Sequence, residues 1–270
     1  MNVIDIGIIG GTGFYKFFDQ SEQVTATTKY GDPSAPITIT EWAGKTIGFL
    51  PRHGRNHEYL PHRVPYPANL AALHDLGAQQ ILGFNVIGSL SPEVGKGHFV
   101  LIDQLIDLTW GRNWTIFDEP GGAHADAAHP YCERLRRQAI EALKDTDEVV
   151  HPRATAAVIN GPRFQTKAES RMYRNWGADV INMTQSTEAS LARELELCYV
   201  NLSYCTDYGV ISEDLAPESG DAPVKHVDVV AQFQRNLHRV EPVVRTVTQA
   251  LRDDPSCGCR SALDGCWVRA

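Results

Sequence analysis

The feature that most constrains this chain is a recurrence of short aliphatic runs separated by segments of helical spacing. The runs are Val3 to Ile9, Ile47 to Leu50, Gln80 to Phe84, Phe99 to Ile106, Ala154 to Ile159, Val180 to Met183 and Cys198 to Cys205. They are apolar without strict alternation, so each expects burial on both faces, as in a sheet covered by helices. Between them, Pro67 to Leu76 spaces Leu70, Leu73 and Leu76 for a helix that Gly77 stops, and Glu133 to Lys144 puts Leu135, Ala139 and Leu143 on one face. Thr166 and Glu169 have the spacing of a capping box and predict a helix through Trp176. A stripe from Val230 through Phe233, Leu237, Val240, Val244 and Val247 to Leu251 predicts one long helix from about Val227, kinked at Pro242. Strands and helices interleave almost to the end, which predicts a single α/β domain over 1–255 and a tail over 256–270 without periodicity.

Charge and composition exclude several classes. With 25 basic and 33 acidic residues the chain carries a formal charge of −8, and no Lys/Arg block marks a surface for nucleic acid or for an anionic membrane. No apolar stretch has the length of a membrane span, and Met1 to Asp5 lacks the basic start and apolar run of a signal peptide, so the expected location is the cytoplasm. Six cysteines in 270 residues do not make a disulfide scaffold.

Residues suited to chemistry cluster just after the strand-like runs. Gly10-Gly11-Thr12-Gly13 can turn backbone N–H groups toward an anion, although its spacing fits neither a dinucleotide fingerprint nor a Walker loop. In Pro51-Arg52-His53-Gly54-Arg55, Arg52 can grip two oxygens of a phosphate and His53 can add a third contact. Phe164 can lie against a flat base and Gln165 can read its edge. Met183 can pack on a sugar face and Thr184 can contact phosphate, ahead of a helix capped by Ser186 or Thr187. Asp207 ends an apolar strand, where α/β proteins place ligands. Taken singly, each also reads as a turn, a helix cap, a core side chain or surface charge. Taken together, an anion grip, an aromatic, a Met-Thr pair and a carboxylate suit phosphate, sugar and base.

The ordered motifs resemble those of the trimeric purine nucleoside phosphorylase superfamily, and within it the 5′-methylthioadenosine phosphorylases. The resemblance runs from Ile6 to about Leu251. It rests on Ile8 to Gly13, Pro51 to His57, Gly88-Ser89-Leu90, Gly161 to Phe164, Ala168 to Ser170, Trp176 to Thr184 and Thr206-Asp207-Tyr208. It implies a three-layer α/β/α domain around a mixed, partly barrel-like sheet, assembled as a homotrimer or a dimer of trimers. It also implies that Thr12, Arg52, His53, Thr184 and the backbone of Val86 bind phosphate. Asn85, Phe164, Gln165, Met183 and Asp207 would hold the nucleoside. His57 and His124 would lie near the 5′ end of the sugar, His124 from a neighbouring subunit. The tail's Cys257-Gly258-Cys259 resembles a C-x-C ending that forms a disulfide in some archaeal-type members; no further pair with metal-ligand spacing stands nearby in sequence, and no metal site is expected.

The implied reaction is phosphorolysis of a purine nucleoside modified at C5′, with inorganic phosphate as co-substrate and no cofactor. Asp207 is the expected general acid toward the departing purine. Three positions depart from the adenine-specific pattern. Asn85 replaces Thr or Ser, Gln165 replaces Ser or Thr, and Gly209 replaces a second Asp. They keep open a 6-oxopurine phosphorylase, acting on inosine or a 5′-modified inosine, and a non-catalytic nucleoside-binding homologue. A nicotinamide-dependent enzyme fails on the glycine spacing, since position 16 is Lys16.

Overall fold

The computed structural model describes residues 4–11, 14, 22–117, 121–209, 211–215 and 224–268. In chain order the elements are β1 (Ile6–Gly10), β2 (Glu22–Val24), β3 (Ile37–Trp42), β4 (Lys45–Pro51), α1 (Tyr66–Asp75), β5 (Gln80–Ser89), β6 (Phe99–Leu101) and β7 (Gln104–Leu108). They continue with β8 (Gly122–Ala123), α2 (Glu133–Leu143), β9 (Val150–His151), β10 (Thr155–Ile159), α3 (Lys167–Asn175), β11 (Val180–Asn182) and α4 (Gln185–Glu194). The last are β12 (Cys198–Asp207), α5 (Ser212–Leu215), α6 (His226–Arg235), α7 (Leu237–Ala250) and β13 (Trp267–Val268). No helix among the described residues is long and apolar enough to cross a membrane.

Eleven strands form one mixed sheet with β5 at its branch point. The apolar runs lack alternation because both sheet faces are buried. Ile6 and Ile8 face one core with Leu82, Phe84, Val200 and Leu202, while Ile9 faces the other with Ile81, Ile87 and Tyr199. Helices α1 and α4 cover the second core through Leu70, Leu73, Ala189 and Leu191. Helices α2, α6 and α7 cover the first through Leu135, Phe233, Val240 and Val244. Each such aliphatic side chain contributes about 1.5–3 kcal/mol when removed from water.

Strand β5 changes neighbours along its length. On one side β12 runs parallel to it from Gln80 to Gly88. On the other, β1 pairs with Ile81 to Gly83 and β11 pairs antiparallel with Gly88 and Ser89. Residues 84–87 therefore have no strand partner on that side among the described residues, and the sheet opens there.

Several expected elements differ in their limits. The run from Phe99 to Ile106 divides into β6 and β7, because the Asp103 carboxylate accepts the Ala154 N–H at 3.0 Å and turns the chain from β12 toward β10. The long C-terminal helix is two. At Asn236 the side-chain amide donates to the Gln232 carbonyl at 2.8 Å and displaces the helical bond, whereas Pro242 is carried within the second turn of α7. Helix α4 begins at Gln185 with Thr184 before it, ahead of the expected caps at Ser186 and Thr187. The capping box is present as expected, with Glu169 N–H on Thr166 Oγ1 at 3.1 Å and Thr166 N–H on Glu169 Oε2 at 2.7 Å. The tail folds back onto the domain. Its Cys257 and Cys259 stand beside Cys132 and Cys198, which corrects the expectation that no further ligand pair lies near them. The pair was hidden because it comes from the start of α2 and the start of β12. All six cysteines are free thiols in this structure.

A polar seam crosses the apolar interior. Arg52, just past β4, and Glu188, on α4, are each 1% exposed and pair through Nε to Oε1 and through Nη2 to Oε2 at 3.0 Å. Tyr199 donates to the same carboxylate at 2.7 Å. Asn201 donates to Asn85 Oδ1 at 2.6 Å, and Asn85 donates to Thr184 Oγ1 at 2.7 Å. Removing one partner of a buried pair leaves an uncompensated charge. We expect Arg52→Met to lower the unfolding free energy by about 3–5 kcal/mol, and Glu188→Gln added to that variant to recover part of the loss. Additive losses in urea titrations would show that the two residues are not coupled.

Candidate active site

The parallel strands β1, β4, β5 and β12 end at one edge of the sheet. Beside the gap in β5, the loops leaving these strands surround a cavity of about 350 Å³. Arg52, His53, His57, Asn85, Val86, Phe164, Gln165, Met183, Thr184 and Asp207 all line it. Thr12 lies outside the described residues, although Gly11 beside it reaches the cavity wall. His124 is exposed just past β8 and does not line this chain's cavity.

One end of the cavity is built for an anion, though not in the way the motif suggested. A guanidinium has five N–H groups. Those of Arg52 reach Glu188 twice, Phe84 O at 2.9 Å and Ile9 O at 3.3 Å, which leaves one N–H, on Nη1. The expected two-oxygen grip by Arg52 is therefore corrected, since Glu188 occupies the fork. Nη1 lies 3.6 Å from where a Cβ on Gly11 would stand.

His53 is also constrained. Its Nδ1 lies 2.8 Å from the Tyr59 carbonyl, which can only accept, so Nδ1 carries the proton. Burial, reinforced by the Arg52 charge and by His57, pushes its pKa down to about 3. The neutral ring keeps a lone pair on Nε2, so it can accept from a phosphate hydroxyl but cannot donate to a bare phosphate oxygen. Thr184 supplies a hydroxyl at the start of α4, and that hydroxyl meets Asn85 rather than capping the helix. The first N–H groups of α4 lack intrahelical acceptors, and the helix dipole favours negative charge there.

The other end holds the carboxyl group. The pairing of β12 with β5 runs in register to Cys205 opposite Ile87, then skips Thr206, so that Asp207 stands opposite Gly88. This bulge re-aims the side chain toward the cavity. A Cβ on residue 88 would come within 2.9 Å of Asp207 Oδ1, so only glycine leaves the carboxyl its place. Thr206 Oγ1 donates to Oδ2 and Gly209 N to Oδ1, both at 2.8 Å. Burial nevertheless raises the Asp207 pKa, offset in part by these bonds. Gln165 lies alongside. A side chain on Gly209 would meet Gln165 Nε2 at 3.0 Å, so the departures at 165 and 209 are one exchange, with the amide of Gln165 next to the place of the missing side chain.

Two parts of the site were not visible in the sequence. Helix α6 closes one wall with His226, Val229, Val230 and Phe233, residues spaced along one helical face. Val230 and Phe233 belong to the apolar stripe of the C-terminal helix, and periodicity alone cannot separate a core stripe from a cavity wall. His226 lies edge-on to His57 at 5.3 Å, and His57 stacks on His53 at 4.5 Å. Burial and then the nearby His226 ring lower the His57 pKa. The second is Arg112, which carried no motif. It donates to Asn160 O at 2.7 Å and Met183 O at 2.8 Å, and so ties the loops after β10 and β11 together and sets Met183 against the cavity.

Comparison with known proteins agrees with this architecture. A family model described as the phosphorylase superfamily matches residues 5–249. S-methyl-5′-thioadenosine phosphorylase from Pyrococcus horikoshii is 44% identical, over 97% of this chain and 99% of the relative. Purine nucleoside phosphorylase from Streptomyces coelicolor is 41% identical, over 97% of this chain and 95% of the relative. The solved structure of methylthioadenosine phosphorylase from Schistosoma mansoni in complex with adenine superposes with a TM-score of 0.86 at 32% identity, covering 96% of each chain. The chain therefore belongs to the phosphorylase superfamily.

Proposed function

We propose that the protein cleaves 5′-methylthioadenosine with inorganic phosphate, releasing adenine and 5-methylthioribose 1-phosphate. The observation that carries this reading is a single cavity with a pKa-raised carboxyl at one end and anion donors at the other. Phosphate is held by the Arg52 Nη1 N–H, Thr184, the backbone beside Val86 and Gly11, and His53 accepts its hydroxyl. A phosphate oxygen forms a bond to C1′ as the bond from C1′ to the purine nitrogen breaks. Positive charge gathers on the sugar in the transition state, and the anionic phosphate stabilises it. Asp207, its pKa raised by burial, donates to or accepts from the purine at N7 as the departing nitrogen takes the electron pair. The reading asks for no cofactor beyond phosphate as co-substrate.

The 5′ end supports a thioether. The stacked rings of His53 and His57 and the aliphatic residues of α6 favour an apolar substituent over a hydroxyl. Phe164 and Gln165 complete the base end. A homotrimer is our reading of the assembly. Exposed Trp110 and Trp114 precede the loop that carries His124, which then belongs to a neighbour's site.

A panel of adenosine, inosine and their 5′-methylthio derivatives, assayed for free base with and without phosphate, tests the proposal. The methylthioadenosine is expected to react fastest and only with phosphate. Base release without phosphate, or faster release of hypoxanthine, would overturn it. Asp207→Asn is expected to cut turnover by roughly 10²–10⁴-fold with an unchanged circular-dichroism spectrum; wild-type turnover would remove Asp207 from the chemistry.

The state of His53 gives a pH dependence. Its folded pKa of about 3 lies below the ordinary 6.5, so between these values the unfolded chain binds the extra proton. Stability is full above about pH 6.5 and falls toward pH 3, with a slope from this group of up to about 1.4 kcal/mol per pH unit. His53→Asn is expected to flatten that slope in denaturant titrations, and an unchanged slope would show that the buried ring is not its source.

A further inference from the structure

Four cysteines meet at the end of the molecule away from the cavity. Cys132 is the residue before α2, Cys198 opens β12, and Cys257 and Cys259 flank Gly258 in the tail. Their Sγ atoms all lie within 4.8 Å of one another, and Cys132 and Cys257 are 3.8 Å apart. Four thiolates around one ion at the usual sulfur distance of about 2.3 Å stand about 3.8 Å apart along the edges of a tetrahedron. Cys132, Cys198 and Cys259 are buried and Cys257 is half-buried.

The surroundings match the charge such a centre would carry. Four thiolates and a divalent ion leave a net charge of −2. Arg134 Nη2 donates to Cys198 Sγ at 3.3 Å, and Arg193 Nη1 donates to Cys259 Sγ at 3.8 Å. These are outer contacts that orient and stabilise metal-bound sulfur.

We propose that Cys132, Cys198, Cys257 and Cys259 bind a structural zinc ion that fastens the C-terminal tail to the domain. Soft thiolate donors in a tetrahedral set select zinc over the hard cations, and four protein ligands leave no open position for catalysis. Binding breaks four S–H bonds and releases the protons to solvent, with no redox step. Cys198 and Asp207 are the first and last residues of β12, about 30 Å apart at the rise of an extended strand. The site therefore acts on structure and is independent of the reaction proposed above. The tail it fixes buries little of its own apart from Cys259 and Leu263. It ends in β13, which pairs with β8, and the Cys266 carbonyl accepts the His124 N–H at 3.0 Å. The ion would thus steady the loop that presents His124.

Metal analysis of the full chain, purified with reductant and without chelator, tests the site. About one zinc per chain is expected. Replacement by Co²⁺ should give intense near-ultraviolet thiolate bands and the visible bands of tetrahedral cobalt. Cys257→Ser should lose most of the zinc while keeping the circular-dichroism spectrum of the wild type. Wild-type chain without zinc overturns the proposal, whether intact mass shows all six thiols free or the loss of four hydrogens to two disulfides. Iron in place of zinc overturns it too.

Discussion

A guanidinium and a carboxylate buried against each other hold the floor of the active site. Arg52 and Glu188 bring the end of β4 onto the first turns of α4, and the same guanidinium takes the carbonyls of Phe84 and Ile9. At this depth neither charge is tolerable alone, so the pair locks three strands and a helix into one arrangement. Its effect on chemistry follows from that neutrality. On the proposed reading, a phosphate entering above it would meet a cation already balanced, with one N–H, a hydroxyl and helix amides to hold it. Oriented dipoles position the anion and leave it charge density to stabilise an electron-poor sugar carbon.

Two irregularities in the sheet place the rest. The exchange of β1 for β11 along β5 opens residues 84–87, and the bulge at Thr206 turns Asp207 toward the same space. Because β5 and β12 are adjacent, one strand pair delivers both the anion end and the carboxyl end. Gly88 is required where they meet, since any side chain there would strike the Asp207 carboxyl. The departures at Gln165 and Gly209 become intelligible at the same point as an exchange of one polar group for another.

Much of this was legible in order along the chain. Arg52 and Asp207, at the C-terminal ends of the parallel strands β4 and β12, do line one cavity, and Met183 and Thr184 reach it from the end of β11, which runs antiparallel to β5. The role of Arg52 was misjudged for a definite reason. Its partner Glu188 lies 136 residues away on a helix whose pattern is that of an ordinary polar face. The α6 wall could not be told from core in the sequence, because a cavity and a core ask for the same spacing of Val and Phe, and Phe233 serves both. Arg112 was missed because it holds backbone carbonyls, which any sequence supplies.

The linear order of residues determined what is local: the both-sided burial of each strand, the Thr166 cap, the glycine turns and the chemical kinds placed at strand ends. Only the tertiary structure decided which distant groups meet, and with them the charge state and free valences of each. Arg52 lost its fork to Glu188, His53 lost its proton to burial, and Cys257 and Cys259 gained partners from Cys132 and Cys198. Desolvation and pairing depend on three-dimensional neighbours, whereas periodicity and turn chemistry depend on the nearest few residues along the chain.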